Sequence, residues 1–186
     1  MPDDHALAAD LATRAGVLLM EVRGRLAAGD TSSEALKREG DQRSHEFLMD
    51  ALARHRPQDA VLSEEGAAAA VHPDRTGTSR VWIVDPVDGT REYGDPSRTD
   101  WAVHVALAED GRPTAGAVAL PALDLTLSTM SLPNPRDLPS IPDRPRVVVS
   151  RSRPPAEAVD VCNALGGVVV ELSPSRDAGP AADLRG

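Results

Sequence analysis

The sequence predicts an α/β fold. Three features carry the expectation: two stretches of helical apolar spacing near the N-terminus, a series of short apolar strands, and a strand–helix–strand run after a proline-rich segment. Residues 5–27 place Leu7, Leu11, Leu18, Val22 and Leu26 near a 3.6-residue period and read as an amphipathic helix. A second helix is expected from about Gln42 to Arg54, with Phe47, Leu48, Ala51 and Leu52 facing inward and Asp41 as its N-cap. "DAVLSEEG" is a short strand ending in acid, and "AAAAVHPDRTGTSR" a loop or loose helix.

"RVWIVDP" is the next strand. "WAVHVALAEDGRPTAGAVALPALDLTLSTM" gives three β segments, the first two joined by a turn at "EDGR". "PNPRDLPSIPDRPR" reads as a linker. After it come a strand "VVVS", a helix around "PPAEAVDVCNAL" and a strand "GGVVVEL", the opening of a second α/β unit. The expected division is an N-terminal α+β domain over 1–141 and the start of a C-terminal α/β domain over 142–186.

Composition limits the function. The 186 residues carry 29 acidic against 20 basic side chains, a formal net charge of -9, which argues against binding nucleic acid by phosphate neutralisation. An anionic small molecule stays compatible if cations bridge the two negative partners. The single cysteine, Cys162, allows no internal disulfide or cysteine-rich zinc site, which suits a reducing cytoplasm. "MPDDHALAAD" lacks the positive segment of a signal peptide, and the apolar runs are too short to span a bilayer. A cytoplasmic protein without membrane contact is expected.

The chemistry is concentrated in "VWIVDPVDGTREYGDPSRTDW", where a hydrophobic strand closes on two aspartates, Asp85 and Asp88, at a turn set by Pro86 and Gly89. Two carboxylates at one point suit a hard divalent cation such as magnesium, which prefers oxygen ligands and keeps several waters. The Val87 carbonyl could join them, and Thr90 adds a hydroxyl. Asp-Pro and Asp-Gly also occur in plain surface turns. Glu64 and Glu65 end the preceding strand in the same way, and two such strands can meet at one sheet edge. His104 alternates against Trp101, Val103 and Val105 and reads as strand packing. His5, His45, His55 and His72 show no metal-ligand spacing.

"SEEG" followed by "WIVDPVDGT" resembles the magnesium-dependent, lithium-sensitive phosphatases of the inositol monophosphatase family, which also include fructose-bisphosphatases and 3'(2'),5'-bisphosphate nucleotidases. The likeness runs from the first helix to about residue 172. Arg91-Glu92-Tyr93 stands where inositol phosphatases carry Thr-Asn-Phe and is closer to the Arg-Glu-Phe of CysQ-type nucleotidases; "LKREGDQRSHEFLMDAL" and "VVVSRSRPP" are similar to that subfamily too. The resemblance implies the layered α-β-α-β sugar-phosphatase fold, magnesium as cofactor, and hydrolysis of the 3'-phosphate of adenosine 3',5'-bisphosphate. By analogy alone it implies a role in sulfate assimilation. Inositol or fructose phosphates are the enzymatic alternative, and a non-catalytic protein that still binds metal or a partner is another.

Carried over by position, Glu64, Asp85 and the Val87 carbonyl would hold a first metal. Asp85 would bridge to a second, which Asp88 also binds. Glu64, Asp88, Gly89, Thr90 and Arg91 would line the substrate. Asp41 would pair with Thr90 to orient a metal-bound water, a role that competes or coexists with its reading as an N-cap. Ser150, Arg151, Ser152 and Arg153 read either as a nucleotide contact or as a solvated helix entrance. The family's later Trp-Asp motif, which completes the second metal site, has no match; Asp177 and Asp183 lie in "SRDAGPAADLRG" without that context. The expectation is therefore an incomplete second half and a nearly inactive chain. A homodimer is left open.

Overall fold

Helix α1, Asp4–Ala27, opens with Asp3, whose carboxylate accepts the Ala6 N–H at 2.7 Å. It buries Leu7, Leu11, Ala15, Leu19 and Val22 as one stripe. Leu18, expected on that stripe, is only half-buried, and the Leu26 side chain lies outside the described residues. The computed structural model describes residues 3–27, 32–65, 78–131, 143–149 and 155–171.

Helix α2, Ser33–His55, corrects the expected start at Gln42. Ser32 is the N-cap, its hydroxyl accepting the Ala35 N–H at 3.2 Å, so Asp41 sits inside the helix and caps nothing. The physical reason is tertiary. Leu36 is buried one turn below Gly40, and a Cβ on Gly40 would come within 2.5 Å of the Tyr93 ring. Glycine here serves close packing and does not end the helix. Phe47 is half-buried, whereas Leu48, Ala51 and Leu52 are buried as expected.

A five-stranded sheet follows, in the order β1-β2-β3-β4-β5. Its strands are β1 (Ala60–Ser63), β2 (Arg80–Asp88), β3 (Ala102–Glu109), β4 (Arg112–Leu120) and β5 (Leu125–Ser128), with the four-residue helix α3 (Thr90–Tyr93) between β2 and β3. β1 runs parallel to β2; the other pairs are antiparallel. Asp110 and Gly111 take positive φ in the β3–β4 turn, the hairpin expected at "EDGR". Trp82, Val84, Val103, Val105, Leu107, Ala115, Ala117 and Ala119 form the buried face and join the helical stripes in one core.

The chain divides into two compact units, Met1–Leu132 and Pro133–Gly186. In the second, β6 (Arg146–Val149) pairs in parallel with β7 (Val168–Glu171), with α4 (Glu157–Ala164) connecting them. That is the expected strand–helix–strand order. Ser150 to Arg153, Asp177, Asp183, most of "AAAAVHPDRTGTSR" and most of the proline-rich segment lie outside the described residues. Among those described, no helix is long and apolar enough to cross a membrane.

Candidate active site

The parallel register of β1 on β2 brings the acidic strand ends together. Ser63 pairs with Val84, and the Glu64 N–H donates to the Val84 carbonyl at 3.2 Å. Glu64 therefore leaves the sheet beside Asp85, and their carboxyls come within hydrogen-bonding reach of each other. His45 of α2 bonds the Ser63 hydroxyl at 2.9 Å, tying the end of β1 to the helix.

The expected turn at Pro86 is instead continuous strand. Pairing jumps from Asp85–His104 to Asp88–Ala102, so β2 carries one extra residue at this point. Proline is tolerated because the bulge asks for no N–H there. Asp85 Oδ1 accepts the Val87 N–H at 3.1 Å, and the Pro86 carbonyl accepts the buried Ser44 hydroxyl at 2.9 Å. These two bonds fix the direction in which Asp85 points.

The turn comes at Gly89. Its φ of 81° is left-handed, and a Cβ would lie 3.3 Å from the Trp101 Cβ, so glycine alone fits without strain. Thr90 then starts α3. Its hydroxyl donates to the Val87 carbonyl at 3.1 Å, so that carbonyl is engaged within the protein. Arg91 is exposed. Tyr93 is fully buried, its hydroxyl donating to the Leu19 carbonyl at 3.1 Å and its ring edge-on to Trp101 at 5.0 Å. Tyr93 thus anchors the segment from behind.

His104 also departs from expectation. It is not packed in the core: Nε2 lies 3.0 Å from Asp88 Oδ2 on the open face of the sheet. The alternation of β3 carried the signal, since His104 must face away from Val103 and Val105 and share a side with its ladder partner Asp85.

Asp41 reaches the same region from α2. Its Oδ1 is buried with no hydrogen-bond partner. The Thr90 hydroxyl has one proton and two claimants, the Val87 carbonyl and the Asp41 carboxylate. Burial, and then the charges of Glu65 and Glu64, push the Asp41 carboxyl up to about 6, while Thr90 pulls it back. Burial and the neighbouring Glu64 and Asp88 hold Asp85 well above the usual carboxylate range, against the Val87 N–H.

These residues fit a divalent cation. The donors are all oxygen, two facing carboxyls must otherwise share a proton, and a buried carboxylate oxygen lacks a partner. Among the described residues, no three His, Cys, Asp or Glu side chains close on one point. An ion here would complete its shell with water or substrate, as magnesium usually does. Two clefts adjoin the carboxylates. One of about 370 Å³ runs past Glu64, Asp85 and His104, and one of about 300 Å³ past Arg38, Asp41 and Glu65.

The inositol monophosphatase family profile matches residues 3–133. The chain belongs to that family. A 3'-phosphoadenosine 5'-phosphate phosphatase of Mycobacterium leprae is 43% identical over 164 residues, covering 82% of this chain and 58% of that protein. A 3'(2'),5'-bisphosphate nucleotidase CysQ of Shigella flexneri is 31% identical over 167 residues, 84% of this chain and 67% of its own. In structure, CysQ from Bacteroides thetaiotaomicron superposes with a TM-score of 0.68 at 21% identity, over 90% of this chain and 72% of that one. This likeness shows the shared fold. The chain spans a little over half the length of the mycobacterial 3'-phosphoadenosine 5'-phosphate phosphatases it matches, 58% and 54% of two of them.

Proposed function

We propose that this inositol monophosphatase-family protein is a magnesium-dependent phosphatase that removes the 3'-phosphate of adenosine 3',5'-bisphosphate. The observation that carries the reading is the meeting of the Glu64 and Asp85 carboxyls at the ends of β1 and β2, within the field of Asp88, with Asp41 and Thr90 paired close by. The names borne by the mycobacterial and Shigella relatives support the choice of substrate.

Glu64 and Asp85 would hold one magnesium, and Asp85 and Asp88 a second, with the Val87 carbonyl free to serve the first once Thr90 turns toward Asp41. Bound magnesium supplies positive charge against the phosphate oxygens and acidifies a coordinated water. The chain's own groups do the rest. Asp41 would accept a hydrogen bond from the Thr90 hydroxyl, leaving the Thr90 oxygen to accept one from the attacking water and fix its line of approach. Gly89, lacking a side chain, lets phosphate approach the backbone, and exposed Arg91 offers a planar cation to its oxygens.

A phosphate-release assay on the purified protein with magnesium tests the substrate. Adenosine 3',5'-bisphosphate should turn over at least about tenfold faster than inositol 1-phosphate, a gap of roughly 1.4 kcal/mol in transition-state binding. The opposite ranking would reassign the protein to inositol phosphates.

A further inference from the structure

We propose that His104 is a positioning residue for Asp88: it holds one oxygen of that carboxylate so that the other is presented to a divalent cation. The inference rests on the metal reading above and adds to it a residue outside the acidic set.

The strand register makes the contact. His104 is the ladder partner of Asp85, and beyond the bulge Asp88 pairs with Ala102, two residues earlier on β3. Asp88 is thereby brought back over the His104 ring, where Oδ2 meets Nε2 at 3.0 Å. An ionised carboxylate can only accept, so the ring nitrogen donates and the other oxygen, Oδ1, is left for an ion or its waters. Among the described residues the Asp88 carboxylate has no other hydrogen-bond partner. Without His104 it would turn freely, and repulsion from Asp85 would favour orientations pointing away from the site. A hydrogen bond that fixes a ligating side chain is a common outer-shell device in metal sites.

A packing role fits the surroundings poorly. The side chains of His104 and Asp88 are 40% and 59% exposed, so their pairing contributes little to stability. The cleft beside the ring is lined by apolar Leu62, Ile83, Val84 and Ala106 and by Ser63, Glu64 and Asp85. Leucine could cover the apolar part of that wall. What histidine adds is the donor.

Magnesium titration calorimetry at about pH 8, with melting in chelator, separates the two roles. His104→Leu should weaken magnesium binding roughly tenfold, within the range for outer-shell partners, while melting no lower than wild type. His104→Gln, whose amide nitrogen can reach the same oxygen, should stay within about threefold of wild type. In an Asp88→Ala background, His104→Leu should cause no further loss. If leucine lowers the melt, His104→Ala compared with His104→Gln carries the same test. Wild-type affinity in the leucine or alanine variant, or equal loss in the glutamine variant, would overturn the assignment alone. A wild type that binds no magnesium would overturn the metal reading and this assignment with it.

Discussion

The two ends of strand β2 are built on opposite electrostatic plans. At its start Arg80 is wrapped by carboxylates: its guanidinium donates to Asp59 at 3.0 and 3.2 Å and to Asp4 at 2.9 Å, and it also pairs with Glu109. Arg56 adds a second cation on Asp4 at 2.7 Å, and the Trp82 indole N–H donates to Asp59 at 2.8 Å. Burial raises the Asp4 carboxyl, but Arg80 and Arg56 outweigh it and hold it low. At the other end Glu64, Asp85 and Asp41 have no ion-pair partner among the described residues, and Asp88 has only His104. At the first end every one of these carboxylates meets a cation of the protein itself. The second is left for something else to neutralise, and the fold tolerates the repulsion because Tyr93, Trp101 and Ser44 hold the segment from behind.

The sharpest way to test the contrast is to remove charge where it is in excess. Asp85→Asn should weaken magnesium binding by roughly 100-fold, because this carboxylate would contact both ions. The same change should raise the melting temperature in chelator by about 2–4 °C, since a raised carboxyl no longer has to ionise. Equal magnesium affinity in calorimetry, or a lower melt without metal, would break the comparison.

The opposite end should respond in reverse. Arg80→Met leaves Asp4, Asp59 and Glu109 short of a cation, and a partly buried network of this kind should lose about 2 kcal/mol in urea unfolding. Magnesium affinity should stay within about twofold of wild type, as additivity expects of distant, independent sites. A loss of binding to match the loss of stability would mean that the two ends are coupled along the strand.

This division was half legible in the sequence. The acidic end is local: "SEEG" and "DPVDGT" each lie at the close of an apolar run, and parallel pairing is enough to join them. The β3–β4 hairpin was legible for the same reason, its turn chemistry lying between two alternating strands. The ion-paired end was not, because Arg80 meets partners 76, 21 and 29 residues away. The start of α2 is set late by Asp41, which reads as an N-cap until Ser32 is seen to cap the helix and Gly40 to pack under the Tyr93 ring. The outward face of His104 follows from the alternation of β3, but its partner Asp88 does not, because that contact depends on a bulge and one inserted residue changes what faces what.

The smallest expected effect is also the one that reads the acidic end without any mutation. Asp41 titrates at about 6 in the folded protein, and Asp85 is raised as well, whereas both would titrate near 3.9 when unfolded. Between about pH 4 and neutrality the native state therefore binds more protons than the unfolded chain, and stability must fall as pH rises. Asp4, Asp95, Glu34 and Glu39 are shifted the other way, so their contribution grows with pH, but most of it is in place by about pH 5. The window from about pH 5 to 7 thus isolates the raised pair. In chelator the melting temperature should drop by a few degrees across that window and level off above it. Magnesium binds the ionised carboxylates, so its stabilisation should grow over the same range and flatten the profile. Asp85→Asn should remove part of the slope in chelator and most of the response to magnesium. A melting temperature that is level or rising between pH 5 and 7 in chelator would show that the carboxylates at the end of β2 are already neutralised within the protein, and the contrast between the two ends would be lost.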